Sequence, residues 1–251
     1  MAQTPSHPPI GQPFIVLPRV DSTNNYAMAQ VHAGRATHGT TWFAHEQTAG
    51  KGQRGRQWIT EPNQNIIISI VFEPELLSLT KTFQLSALIS LGCYDFFKIH
   101  GGNPTKLKWP NDIYWRDRKA GGILIENIFR GANWLFSVAG IGINVNQDQF
   151  PDSVQNAVSL KQITGRQMDP LSLAHELCGL IEKYTAIQRI QSFDWLAAYN
   201  ACLYKKNESV KFKKDNVVFE TVIRGVNENG QLQTIDAVDR TFEFGELEWI
   251  K

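Results

Sequence analysis

The sequence is poor in cysteine, has no long apolar run and carries no excess of either charge, and each shortage excludes a class of protein. Cysteine occurs three times in 251 residues, at Cys93, Cys178 and Cys202, far apart and odd in number. No CxxC or Cys/His metal spacing is present. Neither a disulfide framework nor a zinc cluster is expected, and the thiols read as small buried hydrophobes of a reducing compartment. The histidines are scattered, and neither His45-Glu46 nor His175-Glu176 has a second histidine at zinc-protease spacing, so no protein-bound metal is expected. The longest apolar run, around Asn65–Phe72, suits a buried strand rather than a membrane span. Lys+Arg (25) and Asp+Glu (24) nearly cancel, so any anion site must be local rather than a product of net charge. The opening MAQTPSHPPIGQP lacks the apolar stretch of a signal peptide. Residues 1–13 read as a flexible lead, and a cytoplasmic protein is expected.

What is present is an ordinary globular composition, 42% apolar and 20% charged, with length for one large domain and a small one. Phe14–Leu17, Thr41–His45 and Asn65–Phe72 read as strands. Between the first two, Asp21, Ser22 and Thr23 supply N-cap chemistry for a helix through Asn25–Ala33, stopped by Gly34. Phe83, Leu85, Leu88, Leu91 and Phe96 recur near a helical period. Strands are then predicted over Lys106–Trp109, Gly122–Phe129 and Trp134–Ile141, and helices over Leu171–Ile187 and Phe193–Leu203. From Asn207 the character changes to short β runs with a turn at Asn227–Gly230. The domains expected are residues 14–204, an α+β catalytic unit, and 205–251, a small β-barrel-like appendage. No internal repeat appears.

Two polar clusters interrupt this pattern. Thr48–Trp58 holds three glycines (Gly50, Gly52, Gly55) and three cations (Lys51, Arg54, Arg56) in eleven residues. Glycines let backbone N–H groups approach an anion, arginines neutralise phosphate with bidentate geometry, and Trp58 offers a flat face for a ring. The pattern is neither a P-loop nor a dinucleotide fingerprint, and by composition alone a solvated basic turn is the blander reading. The second cluster is Lys108-Trp109-Pro110-Asn111-Asp112. Pro110 holds Trp109 extended at the strand's end and leaves Asn111 and Asp112 at the sheet's edge. An Asn-Asp turn bonding its own backbone is the alternative.

Together these segments resemble the biotin–protein ligases, from about Phe14 to the C-terminus. The matching motifs are Asp21–Asn24, Gln47–Gly52 with Arg54-Gly55-Arg56 and Trp58, Lys108–Asp112, Lys119–Glu126 and Gly140–Val145, in order. The resemblance implies a mixed central sheet with flanking helices, like the class II synthetases, and an SH3-like C-terminal barrel. It implies biotin binding by Ser22, Thr23, Asn24, Gln47, Gly50, Lys51, Gly52, Lys119, Gly121 and Gly122. ATP or the adenylate falls to Lys51, Gln53, Arg54, Arg56, Trp58, Lys108, Asn111 and Asn144, with Mg²⁺ arriving on ATP. Lys119, Asp112, Arg54 and Arg56 carry the catalytic roles. Lys119 approaches the biotin carboxylate and α-phosphate, and Asp112 orients substrates or helps the incoming lysine lose its proton.

The implied activity makes biotinyl-AMP and transfers biotin to a lysine of a biotin carboxyl carrier protein. The glycine-rich loop would close over the adenylate as a lid. Many relatives carry Gly-Arg-Gly-Arg where this chain has Gly50-Lys51-Gly52-Gln53, so Gln53 gives up one cation, a departure bearing on the grip on adenylate. The pattern starts by Phe14, so no N-terminal DNA-binding domain and no DNA partner are expected. A homodimer through edge strands is a further implication. A lipoate or octanoate ligase of the same fold is the nearest alternative. A non-catalytic biotin binder leaves Asp112, Lys119 and the basic loop without purpose, and a generic nucleotide module leaves Ser22, Thr23 and Gln47 unexplained.

Overall fold

The computed structural model describes residues 8–77, 79, 81–151, 154, 156–190 and 193–250. Strands β1 (Phe14–Leu17), β2 (Thr41–Ala44), β3 (Asn65–Phe72), β4 (Thr105–Lys108), β5 (Asp112–Trp115), β6 (Arg118–Arg130) and β7 (Asn133–Asn144) build a seven-stranded sheet. Its order is β1-β2-β3-β7-β6-β5-β4; β1 runs parallel to β2 and the other pairings are antiparallel. The fold is therefore the expected α+β class with a mixed central sheet.

Every residue of β3 is buried, because helices cover both faces. Residues alternate sides along a strand. Ile66, Ile68, Ile70 and Phe72 join the main core with α2 (Thr82–Gly101), α4 (Pro170–Ile190) and α5 (Trp195–Ala201). Val71 points the other way and packs with Ala27 and Val31 of α1 (Thr23–His32). On that α1 side, β3 offers Ser69, paired with Gly140 of β7, and Ile67, paired with Gly142. Gly142 in turn pairs with Gly122 of β6. One patch of this face thus lacks bulky side chains, and the hollow it leaves becomes the site.

Several expectations shift in detail. Ser22 does occupy the N-cap of α1, but its side chain makes no capping bond; Asp21 instead accepts from Asn25 Nδ2 at 2.6 Å. The segment after Pro110 does not stop at an edge: Asp112 starts β5, which folds back on β4 with Lys108 opposite Asp112. Four residues are too few for a period to announce. The charged segment Asp117–Lys119 is already strand from Arg118, and the short helix α3 (Leu160–Thr164) carried no apolar pattern of its own. Residues 1–7 of the predicted flexible lead lie outside the described residues. Beyond them the lead is pinned: Ile10 is buried and its N–H donates to Glu182 Oε2 at 3.0 Å, while Gly11 N–H donates to Gly39 O at 2.9 Å.

The C-terminal runs form β8 (Ser209–Lys214), β9 (Val217–Val226), β10 (Leu232–Ile235), β11 (Asp239–Phe242) and β12 (Glu248–Ile250). They make a second antiparallel sheet in the order β11-β10-β9-β8-β12, whose ends β11 and β12 are not paired with each other among the described residues. It docks where Trp109 Nε1 donates to Gly230 O at 2.8 Å and Asn200 Nδ2 to Val226 O at 2.8 Å.

Candidate active site

A cavity of about 1030 Å³ opens over the glycine-lined patch. Its floor is glycine-lined, and side chains from elsewhere occupy the space that Cβ atoms would take. A Cβ on Gly140 would collide with the Asn24 amide, one on Gly142 with the Trp58 indole, and one on Gly122 would sit 3.4 Å from Asp112 Oδ1 and Lys119 Nζ. The sheet thus seats three separate parts of the predicted site against one surface.

The first part is the start of α1. Ser22, Thr23 and Asn24 are buried, and with Gln47 they form the inner wall. Gln47 Oε1 accepts the Thr23 N–H at 2.7 Å and lies 3.0 Å from Thr23 Oγ1. Ser69 Oγ lies 2.8 Å from Thr23 Oγ1 and 2.6 Å from Asn24 Oδ1. Asn24 Nδ2 donates to Glu126 Oε2 at 2.8 Å.

The glycine-basic loop is the second part. It folds as a tight ribbon: Trp58 N–H donates to Gly50 O at 2.9 Å and Gly52 N–H to Arg56 O at 2.7 Å. Its tip is a turn in which Arg54 adopts a left-handed φ of 56°. Arg54 Nη1 donates to Gly245 O at 3.0 Å, so this cation ties the loop to the C-terminal sheet. Trp58 lies over Gly142 with its Nε1 buried and unpartnered. Beside the loop, Asp21 is held below the usual carboxylate range, first by the Asn25 amide and further by backbone N–H groups and Lys51.

The β4–β5 hairpin and the start of β6 supply the third part. Lys119 Nζ is 2.6 Å from Asp112 Oδ1, both side chains part-exposed, and 5.8 Å from the Trp58 ring centroid. The Asn111 amide donates to Ile123 O. Asn144 Nδ2 donates to Val158 O at 3.2 Å and Lys119 O at 3.4 Å, fastening the strand that carries Lys119. Lys108 enters an aromatic box, 4.5 Å from the Tyr114 centroid, 4.3 Å from Trp249 and 5.8 Å from Tyr204; its Nζ also donates to Tyr114 Oη at 3.1 Å. Burial pushes the Tyr114 phenol well up, so it stays neutral beside the ammonium.

Of the residues singled out in the sequence, Ser22, Thr23, Asn24, Gln47, Lys51, Gly52, Gln53, Arg54, Arg56, Trp58, Lys108, Asn111, Asp112, Lys119, Gly122 and Asn144 line this one cavity. Gly50 and Gly121 do not; they pack beneath it, against the Trp58 and Gly142 carbonyls. Among the described residues five cations line it, Lys51, Arg54, Arg56, Lys108 and Lys119, against two carboxylates, Asp112 and Glu248. The local field therefore suits a polyanion although the chain is nearly neutral.

Sequence reasoning overlooked Ser69, Glu126, Tyr114 and the C-terminal wall of Phe244, Gly245, Leu247, Glu248 and Trp249. Ser69 had a signal, being the one hydroxyl in the apolar run Asn65–Phe72. The C-terminal residues had none, since docking of a second sheet leaves no period in the sequence.

An inner polar wall, a cationic loop and an acid–lysine pair thus surround one hollow. The chain belongs to the biotin/lipoate A/B protein ligase family, whose pattern matches residues 16–144. It is similar to the bifunctional ligase/repressor BirA of Bacillus spizizenii, 33% identical over 177 residues, which are 69% of this chain and 54% of that protein. It is also similar to the biotin–[acetyl-CoA-carboxylase] ligase of Paracoccus denitrificans, 28% identical over 227 residues, 86% of this chain and 92% of that protein. Among solved structures, the biotin protein ligase from Aquifex aeolicus in complex with biotin and ATP superposes with a TM-score of 0.79 at 25% identity, covering 94% of this chain and 97% of that one. The match to the Bacillus spizizenii protein spans about half of that protein's length. Among the described residues no helix is long and apolar enough to cross a membrane.

Proposed function

We propose that this chain is an ATP-dependent ligase that activates biotin as biotinyl-5′-AMP and transfers the biotinyl group to a lysine of a biotin carboxyl carrier protein. The observation that carries the reading is the convergence of the Thr23–Gln47 wall, the Lys51–Arg56 loop and the Asp112–Lys119 pair on one cavity. In this reading residues 14–204 form the catalytic domain and 205–251 a small domain that closes one side of the site.

Biotin's ring lies against Ser22, Thr23 and Gln47, so its carboxylate extends toward Lys119. The carboxylate attacks the α-phosphorus of ATP and pyrophosphate leaves. Lys119 and the loop cations stabilise the charge that builds on the phosphate oxygens, and positioning supplies the rest. The acceptor lysine then attacks the mixed anhydride and AMP leaves; Asp112, next to Lys119, is placed to take the proton from the incoming amine. Among the described residues no group of three or more His, Cys, Asp or Glu side chains could hold a metal ion. In this reading Mg²⁺ arrives with the ATP phosphates, where it would supply charge neutralisation. Biotin, ATP and the carrier domain are the partners of this reading.

The test is transfer: purified protein, biotin, MgATP and a carrier domain, followed by intact-mass spectrometry of the carrier. One added biotinyl group, absent when the acceptor lysine is replaced by arginine, is expected. An unmodified carrier that gains a lipoyl group when lipoate is supplied would overturn the reading.

A further inference from the structure

Behind the inner wall, a chain of buried polar groups has its direction fixed by proton count. Asn24 Nδ2 donates to Glu126 Oε2 at 2.8 Å and to Leu124 O at 3.4 Å. A carboxylate and a backbone carbonyl only accept, so the amide nitrogen faces them and Asn24 Oδ1 faces Ser69 Oγ, 2.6 Å away. An amide oxygen brings no proton, and the single Ser69 proton goes to it. The Thr23 hydroxyl is then left with two acceptors inside the protein, Ser69 Oγ at 2.8 Å and Gln47 Oε1 at 3.0 Å. Whichever it uses, Thr23 donates inward and turns its lone pairs to the cavity it lines. Gln47 Oε1 is also taken by the Thr23 N–H at 2.7 Å, which leaves the Gln47 NH₂ as the group it can offer.

We propose that Glu126, Asn24 and Ser69 are positioning residues that hold Thr23 as an acceptor beside the Gln47 donor, so that the inner end of the cavity selects a ring carrying N–H next to C=O. The inference rests on biotin being the substrate and goes further, by assigning what sets the ring preference. A cyclic urea satisfies both groups. A dithiolane offers neither and leaves a buried acceptor bare, a mismatch that sites built for hydrogen bonding reject strongly. Thr23, Asn24 and Ser69 are 3%, 3% and 0% exposed, which leaves water little room to repair the loss. Glu126, by contrast, is half-buried and reaches the ring wall only through the other two.

The two ends of the chain are tested by Ser69→Ala and Glu126→Leu, singly and together, in biotin-dependent adenylate formation with biotin and with desthiobiotin, which keeps the urea but lacks the thioether ring. Ser69→Ala is expected to raise KM for biotin about tenfold, the worth of one hydrogen bond, with kcat unchanged. Glu126→Leu, which keeps the size of the side chain but removes the acceptor, raises KM in the same direction. The double variant is no worse than the worse single one, because one chain is broken once. Desthiobiotin suffers by the same factor as biotin, whereas a merely loosened cavity would treat the two ligands differently. Unchanged KM in both variants, additive losses, or a loss confined to kcat would overturn the inference while leaving biotin as the substrate. A wild-type protein that makes no biotinyl-AMP overturns both. Where Ser69→Ala does not fold, Glu126→Leu at the half-buried end decides alone.

Discussion

At the scale of single residues, the site works by opposing groups at short range. Lys119 is the clearest case: its ammonium lies 2.6 Å from Asp112 Oδ1 and 5.8 Å from the Trp58 ring centroid, between acid and aromatic. Removing that charge by Lys119→Gln is expected to lower kcat/KM for biotin by about a hundredfold or more, since a charge aimed at developing negative charge is worth that much. Steady-state adenylation at varied biotin checks it, and a variant within threefold of wild type would refute the role. Lys119 was legible in the sequence only through its motif company; alone it reads as one more cation after a turn. Ser69 was legible in another way, as a hydroxyl in an apolar strand, but its orientation needed the pairing with Gly140. Asn144 shows the limit of motif reasoning: its amide bonds the Val158 and Lys119 carbonyls, a partnership no spacing announces.

Elements were more legible than their junctions. β1 and β3 fall at Phe14–Leu17 and Asn65–Phe72, where the sequence placed them; β3 is buried along its whole length, and such an apolar run between turns has one stable use in a sheet covered on both faces. β5 was not seen, since four residues in a hairpin carry no period. The docking of the C-terminal sheet was invisible for a similar reason: it depends on single contacts such as Trp109 Nε1 to Gly230 O, at 2.8 Å. Trp109→Phe keeps the ring and its T-shaped packing on Phe244 but removes that bond. A destabilisation of about 1–3 kcal/mol is expected, the cost of leaving a part-buried carbonyl unpaired, read as a lowered denaturant midpoint. KM for ATP should rise as well, because Phe244–Trp249 form one wall of the cavity. An unchanged midpoint would show that docking rests on other contacts.

For the whole molecule, near-neutral net charge conceals a cavity lined, among the described residues, by five cations and two carboxylates, and a seven-stranded sheet places loop, hairpin and helix end around one hollow. The fold class was readable from the sequence, as was most of the cavity lining, because the motifs sit at strand and helix ends where the sheet gathers them. The measurement that tests the account most directly is the acceptor-free half-reaction: purified protein with biotin, MgCl₂ and α-labelled ATP. Biotin-dependent formation of biotinyl-AMP and pyrophosphate, with no adenylate from lipoate, is the predicted result. Adenylate from lipoate but not from biotin, made by folded protein, would contradict the account.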